Sequence, residues 1–218
     1  TYDYNPTYIP TSPIFKGTVV RAKVVKAGAL DSQTVTKSYY ISPQGASKYT
    51  LPVVSLSVDE NLLFDYNQGI FVAGVDFDNW RVANPNDDAP TIGDVANFFR
   101  RGSENERNTN FTYFVNGAPV LNQNIGMRVH GGSSRVAQNR SVVFYSRSDY
   151  GDDTMSYQFF NDRSFDSFQS IVLHNSGNDY NQTMFRDAFC HQLLKNLHIT
   201  TKGWQPTVTF LNGEYWGI

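Results

Sequence analysis

Arginine, glycine and serine are concentrated in one short stretch of the sequence. Residues 128–135 read Arg-Val-His-Gly-Gly-Ser-Ser-Arg, and a further arginine follows at position 140. Successive backbone N–H groups in a glycine turn can form an anion-binding nest, serine hydroxyls add donors, and guanidinium groups offer paired donors to phosphate oxygens. The candidate phosphate-binding residues are Arg128, Gly131, Gly132, Ser133, Ser134, Arg135 and Arg140. The alternative is an ordinary Gly-Gly turn with arginines on the surface, and the residues alone leave both interpretations open.

A second polar cluster, His-Asn-Ser-Gly-Asn-Asp at residues 174–179, lies between a predicted strand and a predicted helix. Asn178 and Asp179 are candidate ligands for a nucleotide or a metal, although capping of the helix by one of them is the preferred interpretation. Asp187 is the one carboxylate in the predicted helix. It could pair with an arginine of the first cluster or be a solvated helix charge, and both alternatives stay open.

Composition and charge exclude several classes of function. The 218 residues carry a formal net charge of −2 with a pI of about 6.0, so no overall basic field attracts nucleic acid. No apolar run approaches the roughly 20 residues of a membrane span. The single cysteine, Cys190, excludes an internal disulfide framework and a thiolate zinc cluster. His191 and His198 have no third ligand nearby, so no metal site is predicted.

Alternation of polar and apolar residues predicts a sheet that positions these clusters. The predicted strands are residues 17–26, 34–41, 51–58, 69–74, 110–116, 120–129, 140–147, 170–174, 207–211 and 214–218. The first two are expected to form an antiparallel pair. Asn116-Gly117 and Asn212-Gly213 predict two tight hairpins, because Asn-Gly favours the turn that such hairpins need.

One long helix is predicted at residues 180–197, because Phe185, Phe189, Leu193 and Leu197 recur at fourfold spacing. Shorter helices are expected at 59–64 and 92–101, and a polar surface loop at 75–91. These elements predict an α+β fold, with an antiparallel sheet and one long helix.

The sequence also predicts a division of the chain. Residues 1–41 are more basic than the rest and form a short β-rich segment, residues 42–50 are a linker, and residues 51–218 form the main domain. Because the chain stops within a predicted hairpin strand, we expect it to be part of a longer protein.

Seven motifs occur in order along the main domain. They are Leu51-Pro-Val-Val-Ser-Leu56, Asn67-Gln-Gly-Ile-Phe-Val72, Arg128-Val-His-Gly-Gly-Ser-Ser-Arg135, Tyr150-Gly151, Leu173-His-Asn-Ser-Gly-Asn-Asp179, Arg186-Asp187 and Leu211-Asn-Gly-Glu-Tyr-Trp-Gly217. Together they resemble the spore-coat protein H (CotH) kinase family, from about residue 50 to the last residue. Residues 1–41 resemble the end of a chitobiase/hexosaminidase C-terminal-type β-sandwich module.

The CotH resemblance implies the N-lobe of an atypical protein kinase, which uses ATP and magnesium to phosphorylate serine on surface or coat proteins. Residues 131–135 are then expected over the phosphates, and Arg140 at the position of the nucleotide-pairing base, with Asp187 as a hypothetical partner. No lysine occurs between Lys48 and Lys195, so Arg140 stands where family members commonly carry lysine. The carboxylates that hold magnesium are expected beyond Gly217, so we expect this chain by itself to be inactive.

The alternative function is a non-enzymatic extracellular module that binds protein or glycan. The high aromatic content and the polar loop at 75–91 favour it, because aromatic faces flanked by amides suit stacking on sugars. Both functions predict an extracytoplasmic location, with no nucleic-acid partner and no membrane span.

Overall fold

The computed structural model describes residues 11–87, 95–180 and 182–217. The strands are β1 (Thr18–Ala22), β2 (Val35–Tyr39), β3 (Val53–Val58), β4 (Arg107–Val115), β5 (Ala118–Val129), β6 (Val142–Tyr145), β7 (Met155–Ser156), β8 (Ser167–Phe168), β9 (Ser170–Leu173), β10 (Val208–Leu211) and β11 (Glu214–Gly217). The α-helices are α1 (Glu60–Phe64), α2 (Gly74–Ala83) and α3 (Arg186–Leu194).

Seven strands form one mixed sheet in the order β11-β10-β3-β4-β5-β6-β9. Neighbouring strands are antiparallel except for β10 and β3, which run parallel with Val208 opposite Val53. All six residues of β3 are buried. A strand that is buried throughout must be covered on both faces, and two separate hydrophobic clusters provide this cover.

The main core packs α1 and the turn that follows it against one face of the sheet. Phe111 of β4, Ile125 of β5 and Phe144 of β6 are almost completely buried there, together with Leu63 and Ile70. Alternate residues of each strand point to this face. The strands adjoining the first polar cluster are therefore anchored by their inward-facing residues.

The β1–β2 hairpin lies on the opposite face. Tyr40, which follows β2, packs edge-on against Phe114, with ring centroids 5.4 Å apart. Asn122 Nδ2 of β5 donates to the carbonyl of Thr36 at 3.2 Å, and the Gly17 N–H donates to the Gly213 carbonyl at 2.7 Å. The hairpin is thus held to the sheet at several points, while the predicted boundary at residues 42–50 stays a prediction.

The structure confirms the predicted antiparallel pair and both Asn-Gly hairpins. Strands β1 and β2 pair from Thr18 opposite Tyr39. The hairpins β4–β5 and β10–β11 turn at Asn116-Gly117 and Asn212-Gly213, and both asparagines have φ of 51°. Positive φ at both central residues is the geometry for which Asn-Gly is favoured.

The predicted α+β fold class, a kinase-type N-lobe with one long helix, is wrong. The structure is mostly β, with a mixed sheet and three short α-helices among the described residues. The predicted helix at 180–197 is reduced to nine residues, because Met184 has φ of 60° and interrupts the helical backbone before Arg186. The apolar residues expected to bury this helix, Phe185, Phe189, Leu193 and Leu197, are all exposed.

Three further predictions between residues 69 and 101 are wrong where the structure describes them. Residues 69–74 are no strand, since the Gly69 N–H donates to the Asp65 carbonyl in a turn after α1. Helix α2 occupies most of the predicted polar loop, and Asn97 Oδ1 accepts from the Asp76 N–H at its start. Of the helix predicted at 92–101, residues 92–94 lie outside the described residues, and Asn97–Phe99 form only a 3₁₀ turn.

Candidate phosphate-binding site

The glycine–serine turn, residues 131–134, connects the end of β5 to the segment before β6. Val129 pairs with Val142, and the His130 N–H donates to the Ser141 carbonyl at 2.8 Å, so both sides of the connection stay bonded up to the turn. Gly131 has φ of 113°, and a Cβ added there would lie 2.4 Å from Ser134 Oγ. Only glycine fits this backbone position without strain.

Arg135 anchors the glycine–serine turn from the protein interior. Its side chain is almost completely buried, with 3% exposed. Nε donates to the Gly131 carbonyl at 2.6 Å, and Nη1 donates to the carbonyls of Phe98 at 3.1 Å and Arg100 at 3.4 Å. This guanidinium group therefore holds the turn against the 3₁₀ turn at Asn97–Phe99 and presents its donors to the protein.

Arg140 lies beside the same turn and has a different environment. Its Nε donates to the Arg135 carbonyl at 2.7 Å, and its guanidinium carbon lies 4.5 Å from the centre of the Phe98 ring. Within the described part of the chain, no carboxylate forms a salt bridge with it and its two Nη atoms have no hydrogen-bond partner. Burial lowers the pKa of Arg140 to about 10, because desolvation disfavours the charged form.

The donors of the turn are also available. In the described ranges, no protein group accepts from the backbone N–H groups of residues 131–134 or from the hydroxyls of Ser133 and Ser134. Gly132 and Ser133 are exposed. Four successive N–H groups next to an uncompensated guanidinium group form an arrangement that can receive an anion.

Arg128 lies on the other face of the sheet. Met127 and Val129 point into the main core, so the intervening Arg128 points away from it. Its Nη2 donates to Tyr145 Oη at 2.8 Å, and its buried Nε has no hydrogen-bond partner. Arg140 instead packs on Phe98 and Phe71, which belong to the main core. The structure therefore brings Arg135 and Arg140 together, but not Arg128 with Arg140.

The second polar cluster lies before helix α3 in the chain. Asp179 is buried in the 3₁₀ turn Gly177–Asp179, and its carboxylate accepts from Thr183 Oγ1 at 2.5 Å and from the Arg186 N–H at 3.0 Å. The Thr183 hydrogen bond is the main reason why the pKa of Asp179 is lowered, and burial acts against it. Asp179 thus fills the preferred capping role, while Asn178 is exposed.

Asp187 does not reach the arginines. Its carboxylate is exposed and lies 3.8 Å from His191 Nε2, one turn further along α3. Burial alone accounts for the lowered pKa of Arg140, with no contribution from a carboxylate. Nucleotide binding by Asn178, Asp179 or Asp187 stays a prediction.

Two further features of the site were not among the predicted site residues. Asn175 joins the two polar clusters, because its side chain accepts from Ser141 Oγ and donates to the Asn139 carbonyl, both at 2.8 Å. Positive charge also surrounds His130. Its pKa is lowered first by partial burial and then by Arg135, His174, Lys202 and Arg128. Asn175 and His174 lie within a motif of the sequence, whereas no local sequence pattern indicates that Lys202 lies near the site.

The space around the site limits where an anion can bind. A cavity of about 20 Å³ lies between Arg140, His174, Asn175 and Trp216. This volume holds one water molecule at most, so a phosphate group must lie outside it, over the exposed side of the turn. A larger cavity of about 530 Å³, lined by Tyr145, Arg147 and other polar residues, adjoins the far end of β6.

The comparison with protein families concerns this same region. The family model described as CotH kinase protein matches residues 127–218.

Residues 127–218 are therefore similar to the CotH kinase family.

The match confirms the resemblance seen in the motifs from Arg128 onward, and it includes the glycine–serine turn, Arg140 and α3. It covers less than half of the chain and leaves the β1–β2 hairpin outside. No curated protein and no solved structure matches the chain.

None of the helices among the described residues has the length and apolar character that crossing a membrane requires. No group of three or more His, Cys, Asp or Glu side chains within the described ranges is placed to hold a metal ion.

Proposed function

We propose that the CotH kinase-like part of the chain binds the phosphates of ATP at the glycine–serine turn, as one component of a protein serine kinase. The observation that carries this proposal is the environment of Arg140. A partly buried guanidinium group without a carboxylate partner is costly, and an anion at its free Nη atoms would offset this cost.

The surrounding groups suit a polyphosphate rather than a single acidic side chain. The N–H groups of residues 131–134 can contact one phosphate, while Arg140 contacts its neighbour. Arg135 keeps its carbonyl contacts and acts as a positioning residue. Lys202 adds positive potential near the turn, which attracts a highly charged anion over a longer distance.

ATP bound at this turn would supply the phosphoryl group for transfer to a serine hydroxyl. Magnesium fits less well, since the described side chains offer no cluster of metal ligands. Mg²⁺ is commonly held by one or two carboxylates together with substrate phosphates. The protein acceptor, the extracytoplasmic location and the inactivity of the chain by itself stay predictions.

Titration calorimetry with ATP tests the proposal, with and without magnesium. Arg140→Met keeps most of the side chain's length and removes its charge. We expect ATP to bind about 10- to 150-fold more weakly, because a hydrogen bond to a charged group contributes ~1.5–3 kcal/mol. Arg140→Lys keeps the charge without the planar pair of donors, and intermediate affinity is expected.

The matched control is Arg21→Met, which removes an exposed arginine of β1 far from the turn in sequence. Its ATP affinity should equal that of the unmodified chain. Near-UV circular dichroism establishes that each variant is folded. Equal ATP affinity of folded Arg140→Met and the unmodified chain, or no saturable ATP binding by the unmodified chain at millimolar nucleotide, would contradict the proposal.

A further inference from the structure

A cavity of about 190 Å³ lies where the β1–β2 hairpin meets the sheet. Its apolar walls are the side chains of Phe15, Tyr40, Tyr49, Leu51, Val53 and Phe114. The 3₁₀ turn Gly45–Lys48 and the β4–β5 turn at Asn116-Gly117 form its rim. No residue of the glycine–serine turn contributes to it.

The walls of this cavity are fixed by ring packing. Tyr40 contacts Phe114 and Phe210 with centroid distances of 5.4 and 4.6 Å, and Phe15 contacts Phe210 at 6.1 Å. Phe210 is fully buried, and Val53 and Phe114 are buried as well. Side chains packed in this way cannot move into the space without losing contacts. The cavity is therefore preformed.

Lys48 gives the cavity its charge. Its Nζ lies 4.2 Å from the centre of the Phe15 ring and 5.4 Å from that of Tyr49. Lys16 pairs with Glu214, and Lys23 pairs with Asp31. Across the described ranges, no carboxylate forms a salt bridge with Lys48. A half-buried ammonium group at the mouth of an apolar cavity is complementary to a ligand with an apolar body and a negative end.

The volume of the cavity further restricts the class of ligand that can bind. The volume corresponds to about six water molecules at ~30 Å³ each. One aromatic ring with a short side chain fills such a space, whereas a nucleotide or a disaccharide does not fit. Aromatic walls favour edge-on packing against an aromatic ring. Asn116 at the rim adds a polar side chain that can contact a carboxylate oxygen.

We propose that this cavity binds a small aromatic carboxylate, with its ring among Phe15, Tyr40 and Phe114 and its carboxylate at Lys48. The site is separate from the proposed ATP site. Pro119 near the start of β5 pairs with Phe114, whereas Val129 at the end of β5 leads into the glycine–serine turn. Ten residues of extended strand separate these two ends by roughly 30 Å.

The probe for this proposal is 3-phenylpropionate, and its uncharged amide is the control ligand. Amide ¹H–¹⁵N spectra of the whole chain are recorded during titration to millimolar ligand. We expect saturable shifts at Gly45, Ala46, Tyr49 and Gly117, and unchanged signals in the glycine–serine turn. The acid should bind about five-fold more tightly than the amide, as expected for one partly exposed charge pair.

Variants distinguish the contribution of the Lys48 charge to binding from that of the apolar cavity. Lys48→Met should remove the preference for the acid over the amide, while Lys37→Met, an exposed lysine of β2, should retain it. The proposal is overturned by the absence of saturable shifts, by equal affinities of acid and amide, or by shifts located elsewhere. ATP binding can fail without affecting any of these results, so the two proposals are tested independently.

Discussion

Replacement of Arg135 by methionine should destabilise the protein strongly, because this guanidinium group is buried and donates to three carbonyls. Two of its hydrogen bonds, 2.6 Å to Gly131 and 3.1 Å to Phe98, have good length, and the third at 3.4 Å is weak. Hydrogen bonds that involve a charged group contribute ~1.5–3 kcal/mol each. Two bonds at the lower limit predict that Arg135→Met lowers the free energy of unfolding by about 3 kcal/mol.

Urea unfolding followed by circular dichroism measures this loss as a lower midpoint at unchanged slope. Domains of this size have a free energy of unfolding of ~5–15 kcal/mol, so the variant should still fold. Arg135→Lys keeps the charge but cannot reach all three carbonyls. We expect it to lower the free energy of unfolding by more than half the loss in Arg135→Met. Arg21→Met should change stability by less than ~0.5 kcal/mol. A loss below ~1 kcal/mol for Arg135→Met would refute the anchoring role.

Two other predictions concern titration and helix capping. His130 should titrate below its usual pKa of 6.5 in an NMR titration, because partial burial and neighbouring positive charges disfavour the imidazolium. The unfolded chain then binds more protons than the folded one, so the free energy of unfolding should fall as the pH drops below 6.5. This fall should be smaller in His130→Gln. An NMR titration midpoint of His130 at or above 6.5 would contradict this reasoning. Asp179→Ala should speed amide hydrogen exchange throughout α3, because it removes the acceptor for the Arg186 N–H. The control Asp187→Ala should leave the exchange rates unchanged, because this carboxylate is exposed. Equal exchange rates in both variants would show that Asp179 does not cap the helix.

Local features of the fold were predictable from the sequence, and contacts between distant segments were not. The Asn116-Gly117 and Asn212-Gly213 turns depend on two residues each and appear as predicted. The parallel pairing of β10 with β3 depends on residues about 150 positions apart, which no local pattern reports. Helix α2 was missed because its sequence is rich in asparagine and aspartate, and its start depends on the distant Asn97 side chain.

The same distinction holds at the candidate site. Gly131 was predictable as part of a turn, because a Gly-Gly pair between two strands signals one. The burial of Arg135 was not, since its acceptors at Phe98 and Arg100 lie far away in the sequence. The placement of Arg128 on the opposite face could have been inferred, because Val129 beside it is an inward-facing strand residue.

The parallel pair of β3 and β10 has a consequence for synthesis and for expression of shorter chains. During translation, one edge of strand β3 has no partner until Val208–Leu211 emerges from the ribosome. The nascent sheet is therefore exposed to incorrect edge-to-edge pairing while most of the chain is being synthesised. A segment cut at residue 127, where the family match begins, would contain β10 and lack both β3 and β4. Such a segment should aggregate when produced alone.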